Sequence, residues 1–213
     1  MRTGKGLGLL TLGLAVSVGA PMSADAASTL YDTSAASITC TSITKATVKL
    51  TPPLTTLSTG NAAVKVKVSL TGCTATGALP ALPALQILSG KISGTINTAG
   101  AGGCGGLLLP SVITGNLVAK WKAASGQALD FKSTTVSNGM VTGGLFIGPT
   151  GAAYGVFNLS GQTILPGSAF AGGVPSASIT TAEDAAYIAA QCAAAPPGKG
   201  MGKINLGIGG VTL

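Results

Sequence analysis

Between Val64 and Leu70 every second residue is apolar, with Val64, Val66, Val68 and Leu70 on one face and Lys65, Lys67 and Ser69 on the other. A period of two marks a strand with one face in a core and one in water, and a helix cannot satisfy it. The pattern recurs along the chain. Ala36 to Leu50 is rich in Thr, Val and Ile, residues that suit a pleated surface. Ile87 to Ile96 alternates through Leu88, Ile92 and Ile96. Leu117, Ala119 and Trp121 alternate with Val118, Lys120 and Lys122, and Ile204, Leu206 and Ile208 alternate near the C-terminus. Gly77 to Leu85, with Pro80 and Pro83, and the glycine-rich run Gly100 to Gly106 punctuate these segments. Short strands separated by turn residues predict an all-β fold, an antiparallel sandwich or a barrel.

Asn138-Gly139 is the strongest hairpin signal. Taken as a two-residue loop, it pairs Ser137 with Met140 and Phe131 with Phe146. Trp121, Leu129, Phe131 and Phe146 then share one face of a three-stranded meander, with Trp121 at the centre of the core. One short helix is expected in the C-terminal region. Thr180 and Glu183 have capping-box spacing, and an Ala-rich run reaches Ala195 before Pro196-Pro197-Gly198.

Residues 1–26 read as a signal peptide: Arg2 and Lys5, an uncharged apolar run from Gly6 to Ala20, and small residues at Ala24 and Ala26. Residues 27–213 then form a single β domain, secreted or held at the cell surface. The intact mass of the exported chain is expected to start at Ala27; a mass retaining Met1, or carrying a lipid, would contradict this. Removing the leader takes Arg2, Lys5 and Asp25 from twelve cations and five acids, leaving ten lysines, four acids and a net charge of +6. Four cysteines in an oxidising compartment favour two disulfides. Cys40 and Cys73 flank the turn-like run from Thr51-Pro52-Pro53 to Gly60 almost symmetrically, which favours Cys40–Cys73 and leaves Cys104–Cys192.

The chain has no histidine. That removes Ser-His-Asp triads, Cys-His pairs, HExxH zinc sites and an imidazole switch. The mature part also lacks arginine, the bidentate reader of phosphate and guanine, and has one Trp and three Tyr for stacking, so no nucleic-acid reader is expected.

The strand ending in Lys120-Trp121-Lys122, the Ser/Thr-rich strand, the Gly-Met-Val-Thr-Gly-Gly run and the Leu-Phe-Ile-Gly ending resemble small secreted proteins common in actinobacteria. Cys192 followed by the alternating Lys203 to Leu213 is similar to that group too. The resemblance implies an all-β fold and transfers no functional residue.

Local motifs read as structure rather than chemistry. Gly100 to Gly105 matches GxGxxG, but no helix opens after it to hold a phosphate. Gly198 to Lys203 has Pro197 and Ile204 where a Walker loop needs Gly and Ser or Thr. Ser42-Ile43-Thr44-Lys45 matches SxxK but lies in a strand-like run. Asp130 faces outward beside Lys132, and Glu183 and Asp184 suit a helix start, so no carboxylate pair is expected. Lys45, Lys49, Lys65 and Lys67 hold odd positions on two strands that can pair, forming one basic face, read first as a solvated outer face that discourages edge pairing and second as a contact for an anionic envelope polymer. The 50 uncharged positions from Ser133 to Ala182 suit self-association or contact with lipid. The expectation is a disulfide-stapled structural or binding protein of the cell envelope, without catalytic activity, cofactor, metal site or transmembrane helix in the mature chain. A pore-forming β protein and a histidine-free glycoside hydrolase are the alternatives.

Overall fold

The computed structural model describes residues 37–56, 60–76, 86–99, 103–104, 109–123, 133–168, 170–171, 173–194 and 200–213. The elements follow as β1 (Ser37–Leu54), β2 (Ala62–Thr76), β3 (Gln86–Thr98), β4 (Ser111–Ala123), β5 (Ser133–Ile147), β6 (Ala153–Ser160), β7 (Thr163–Ile164), β8 (Ser176–Asp184), α1 (Ala185–Ala194) and β9 (Met201–Thr212). One sheet takes the order β4-β3-β2-β1-β9-β8-β6-β5-β7, and β4 also pairs with β5. Every strand pairing is antiparallel. Eight strands therefore close an up-and-down barrel, and β7 is a two-residue patch on β5. This overturns the sandwich option, because a sheet whose end strands pair has no second sheet to face. Closure also satisfies edges that would otherwise template aggregation.

The alternation decides which face turns inward. Val64, Val68 and Leu70 are buried, while Lys65 and Lys67 are exposed. On β1, Cys40, Ala46 and Leu50 point into the barrel. The run expected to turn at Thr51-Pro52-Pro53 stays in β1 as far as Leu54. One side chain defies the simple alternation. Thr181 pairs with Leu206 and Ile179 with Gly209, so β9 carries an extra residue there, and Ile208 turns outward with 83% exposure.

The expected Asn138-Gly139 hairpin is corrected. Asn138 and Gly139 do have positive φ, 53° and 127°, but they sit inside β5. Facing them, β4 is irregular between Ile113 and Asn116, with Gly115 at φ 117°, and the Gly115 N–H donates to Asn138 Oδ1 at 3.4 Å. Positive φ at this point bends β5 instead of reversing it. Ser133–Val141 pairs with β4 and Met140–Ile147 with β6. Ser137 consequently faces Asn116 and Thr163, Met140 faces Ser160, and Phe146 faces Tyr154. Phe146 is 49% exposed, so it is not a core partner of Trp121; Leu129 and Phe131 lie outside the described residues.

The strand directions put the β1–β2, β3–β4 and β5–β6 connections and α1 at one end of the barrel, and both chain ends of the described domain at the other. Two buried layers occupy the interior. One holds Leu50, Leu54, Val64, Ile96, Ile113, Leu117, Cys192 and Ile204. The other includes Ile38, Leu70, Trp121, Val136, Phe170, Val211 and Leu213. In the second layer, Phe170 meets the Trp121 ring edge-on, centroids 6.3 Å apart, and Trp121 Nε1–H donates to Thr134 Oγ1 at 3.0 Å. A Cβ added at Gly90 would fall 2.4 Å from the Trp121 Cζ3. Gly90→Ala is therefore expected to destabilise the barrel by about 1–3 kcal/mol, read from the midpoint of urea unfolding.

Both expected disulfides form. Cys40 and Cys73 are register partners on β1 and β2, and Cys104–Cys192 ties the β3–β4 connection to α1. Disulfides indicate a non-cytoplasmic environment. The capping box is not formed, since Thr180 and Glu183 belong to β8. Asp184 caps the helix instead, its Oδ1 accepting the Tyr187 N–H at 2.6 Å. Among the described residues, no helix is long and apolar enough to cross a membrane.

Candidate functional site: a lysine wall on the outer face

The inward turn of the valines and leucines forces the intervening residues outward, and on five consecutive strands these include lysines. β1 and β2 do pair, which brings Lys45, Lys49, Lys65 and Lys67 onto one outer face. The register places Lys49 directly opposite Lys65 on β2 and directly opposite Lys203 on β9. Lys203, Lys49 and Lys65 thus form a row across three strands, and Thr95 of β3 and Asn116 of β4 continue it. A second row runs through Asn205, Thr47, Lys67 and Ser93. A third runs through Lys45, Ser69, Lys91 and Lys120, and Lys122 lies opposite Ser89 beyond it.

All eight described lysines are exposed. Neither β9 nor any of β1 to β4 contains an Asp or Glu. Directly opposed residues on antiparallel strands have Cα atoms about 4.5–5.5 Å apart. Like charges at that separation destabilise a sheet by a few tenths to about 1 kcal/mol per pair. Lys49 has such a neighbour on each side. Between the lysines the wall is mostly Ser, Thr and Asn, groups that donate and accept hydrogen bonds without adding charge, and Val118 of β4 continues the second row beyond Ser93.

Sequence reasoning found four of these lysines and missed the assembly. Lys120 and Lys122 already lay on the outward face of an alternating strand, and Lys203 precedes the alternating Ile204 and Leu206. What linear sequence does not carry is the adjacency of β9 and β1, which exists only because the barrel closes.

The remaining candidates do not assemble. Ser42 and Lys45 are both exposed and flank an irregularity of β1 at Ile43/Lys45. Glu183 accepts a hydrogen bond from Asn205 Nδ2, its other oxygen is buried without a hydrogen-bond partner, and Asp184 is occupied at the helix cap. Asp32, Asp130 and Lys199 lie outside the described residues. Of the glycine-rich run, Gly103 bridges to Thr55 and Cys104 N–H donates to Thr55 O at 3.2 Å, so this part is stitched to the β1–β2 connection. In the uncharged stretch, Leu145, Phe146 and Ile147 are exposed at the tip of the β5–β6 hairpin.

Comparison with protein-family models, curated proteins and solved structures finds no match. The functional reading therefore rests on the wall itself.

Proposed function

We propose that this is a non-catalytic binding protein, exported to the cell surface, whose lysine wall engages a linear polyanion of the envelope. One observation carries the reading: Lys203, Lys49 and Lys65 are immediate neighbours on three strands, within five strands that contain no Asp or Glu, Glu183 of β8 meeting the wall at Asn205. The row sets positive charges on a pitch of about 5 Å. A polymer with regularly spaced negative charges removes the mutual repulsion and gains entropy from the counterions both partners release. Lysine supplies compact point charges rather than a planar fork. The wall thus reads charge density, which suits a flexible phosphate-rich chain better than a ligand recognised by bidentate geometry.

The same pattern counts against the pore alternative. A membrane barrel presents an apolar band to lipid and a polar interior, whereas here the lining is apolar and the outward face of β1–β4 is mostly Ser, Thr, Asn and Lys, with Val112 and Val118 of β4 as apolar exceptions. A glycosidase needs two carboxylates about 5 to 9.5 Å apart across a cleft, and Glu183 and Asp184 are each held by another structural contact.

On immobilised polyphosphate, the mature protein is expected to be retained at low salt. The Lys49→Gln/Lys65→Gln/Lys203→Gln variant should elute much earlier with an unchanged far-UV spectrum. Elution of the folded variant together with the wild type, or no retention of either, would overturn the reading. Preferential retention on double-stranded DNA would redirect it to nucleic acid.

A further inference from the structure

Where the two buried layers meet, the barrel is not filled. Val66, Ile92 and Leu206 touch both layers and line a cavity of about 150 Å³. Small inward residues leave this room: Ala119 and Ala177 stand in its wall, where the next inward positions are Leu117 and Trp121 on β4 and Ile179 on β8. An eight-stranded barrel has an interior just wide enough to be filled by side chains or to hold one small ligand. An apolar cavity of this size accommodates a molecule such as benzene.

The lining carries no ionisable side chain. Two of its polar side chains are already satisfied, Thr98 Oγ1 donating to Ala62 O and Ser111 Oγ donating to Leu109 O, each at 3.3 Å. The other two, Gln162 and Ser176, stand where the sheet parts. β6 pairs with β8 as far as Leu159↔Ala177, after which the chain continues as β7 on β5 alone. Gln162 lies in the break between β6 and β7 and Ser176 is the first residue of β8; Ser176 is exposed and Gln162 half-buried.

We propose that this cavity is a binding site for a small uncharged apolar molecule, about the size of a single aromatic ring, entered through the Gln162–Ser176 seam. The body of the ligand lies among Val66, Ile92 and Leu206, and the Gln162 amide meets the one hydrogen-bonding atom such a molecule can carry. A charged ligand is excluded, because nothing in the lining offsets the cost of its desolvation. The site is independent of the lysine wall, since its ligand is uncharged and its side chains point the opposite way.

The test uses benzene on the mature, oxidised protein. At concentrations several times Kd, Tm is expected to rise by about 2–4 °C, with methyl NMR shifts concentrated at Val66, Ile92 and Leu206. Ala177→Leu, which fills the cavity, should abolish the rise. An unchanged wild-type Tm, an equal rise in the folded Ala177→Leu protein, or shifts centred on the exposed Ile147 or Ile208 would overturn the site. Should Ala177→Leu fail to fold, the methyl map of the wild type decides between these outcomes.

Discussion

Replacing Phe170 with Ala is expected to cost about 3–5 kcal/mol of stability, the range for truncating a fully buried aromatic. Phe170 is 1% exposed and stands edge-on to Trp121. It sits in the buried layer nearest the chain ends, with Ile38 and Leu213. Its backbone adopts φ +62°, an uncommon conformation for a residue with a side chain, in a turn closed by Gly173 N–H donating to Phe170 O at 2.9 Å. Ala cannot fill the space against the indole edge, and Trp121 loses the contact that, with Thr134, fixes it. Urea unfolding followed by Trp121 fluorescence measures the cost. A change under about 1 kcal/mol would mean that the turn collapses to refill the space.

Removing the Cys104–Cys192 bridge by replacing both cysteines with Ala is expected to cost roughly 4.5 kcal/mol on the chain-entropy model, because the sulfurs join residues 88 apart. Among the described residues of α1, only the bridged Cys192 belongs to the buried layer, so most of what these residues contribute to holding the helix on the barrel goes with the bridge. Amide exchange is expected to accelerate along α1 while β1 to β3 remain protected. The Cys40–Cys73 bridge behaves differently. It joins strands already paired along most of their length, so its removal should lower global stability by up to about 4 kcal/mol without selectively freeing any element. Equal exchange in α1 before and after loss of Cys104–Cys192 would show that the helix is held by other means.

Much of this architecture is legible in single residues. The alternation from Val64 to Leu70 defines the inner and outer faces of β2 on its own, and the near-symmetric placing of Cys40 and Cys73 about a reversal identifies their bridge. Asn138-Gly139 was legible in conformation and misread in consequence. Both residues take positive φ, but whether that makes a turn or a bulge depends on what stands opposite, here the Gly115 irregularity of β4. Phe170 gave no signal, since it lies in a Gly- and Ala-rich connection without periodicity and is buried only because the barrel needs an end filled. Ile208 failed for the complementary reason, as one inserted residue in β9 reversed the face that strict alternation assigned to it. The lysine wall was half visible: each lysine is outward by local pattern, while the Lys203–Lys49–Lys65 row depends on closure between distant parts of the chain.

The salt dependence of binding to a soluble polyphosphate tests whether that row acts as a unit. Isothermal titration of the mature protein across a range of salt concentrations should give an affinity that falls steeply and linearly in log–log form. In the Lys49→Gln/Lys65→Gln/Lys203→Gln protein the slope should shrink by about 2–3, close to one released counterion for each lysine removed. An unchanged slope in a folded variant would mean that the polymer does not lie along these strands, and the lysines would then be only the solvated outer face of a barrel.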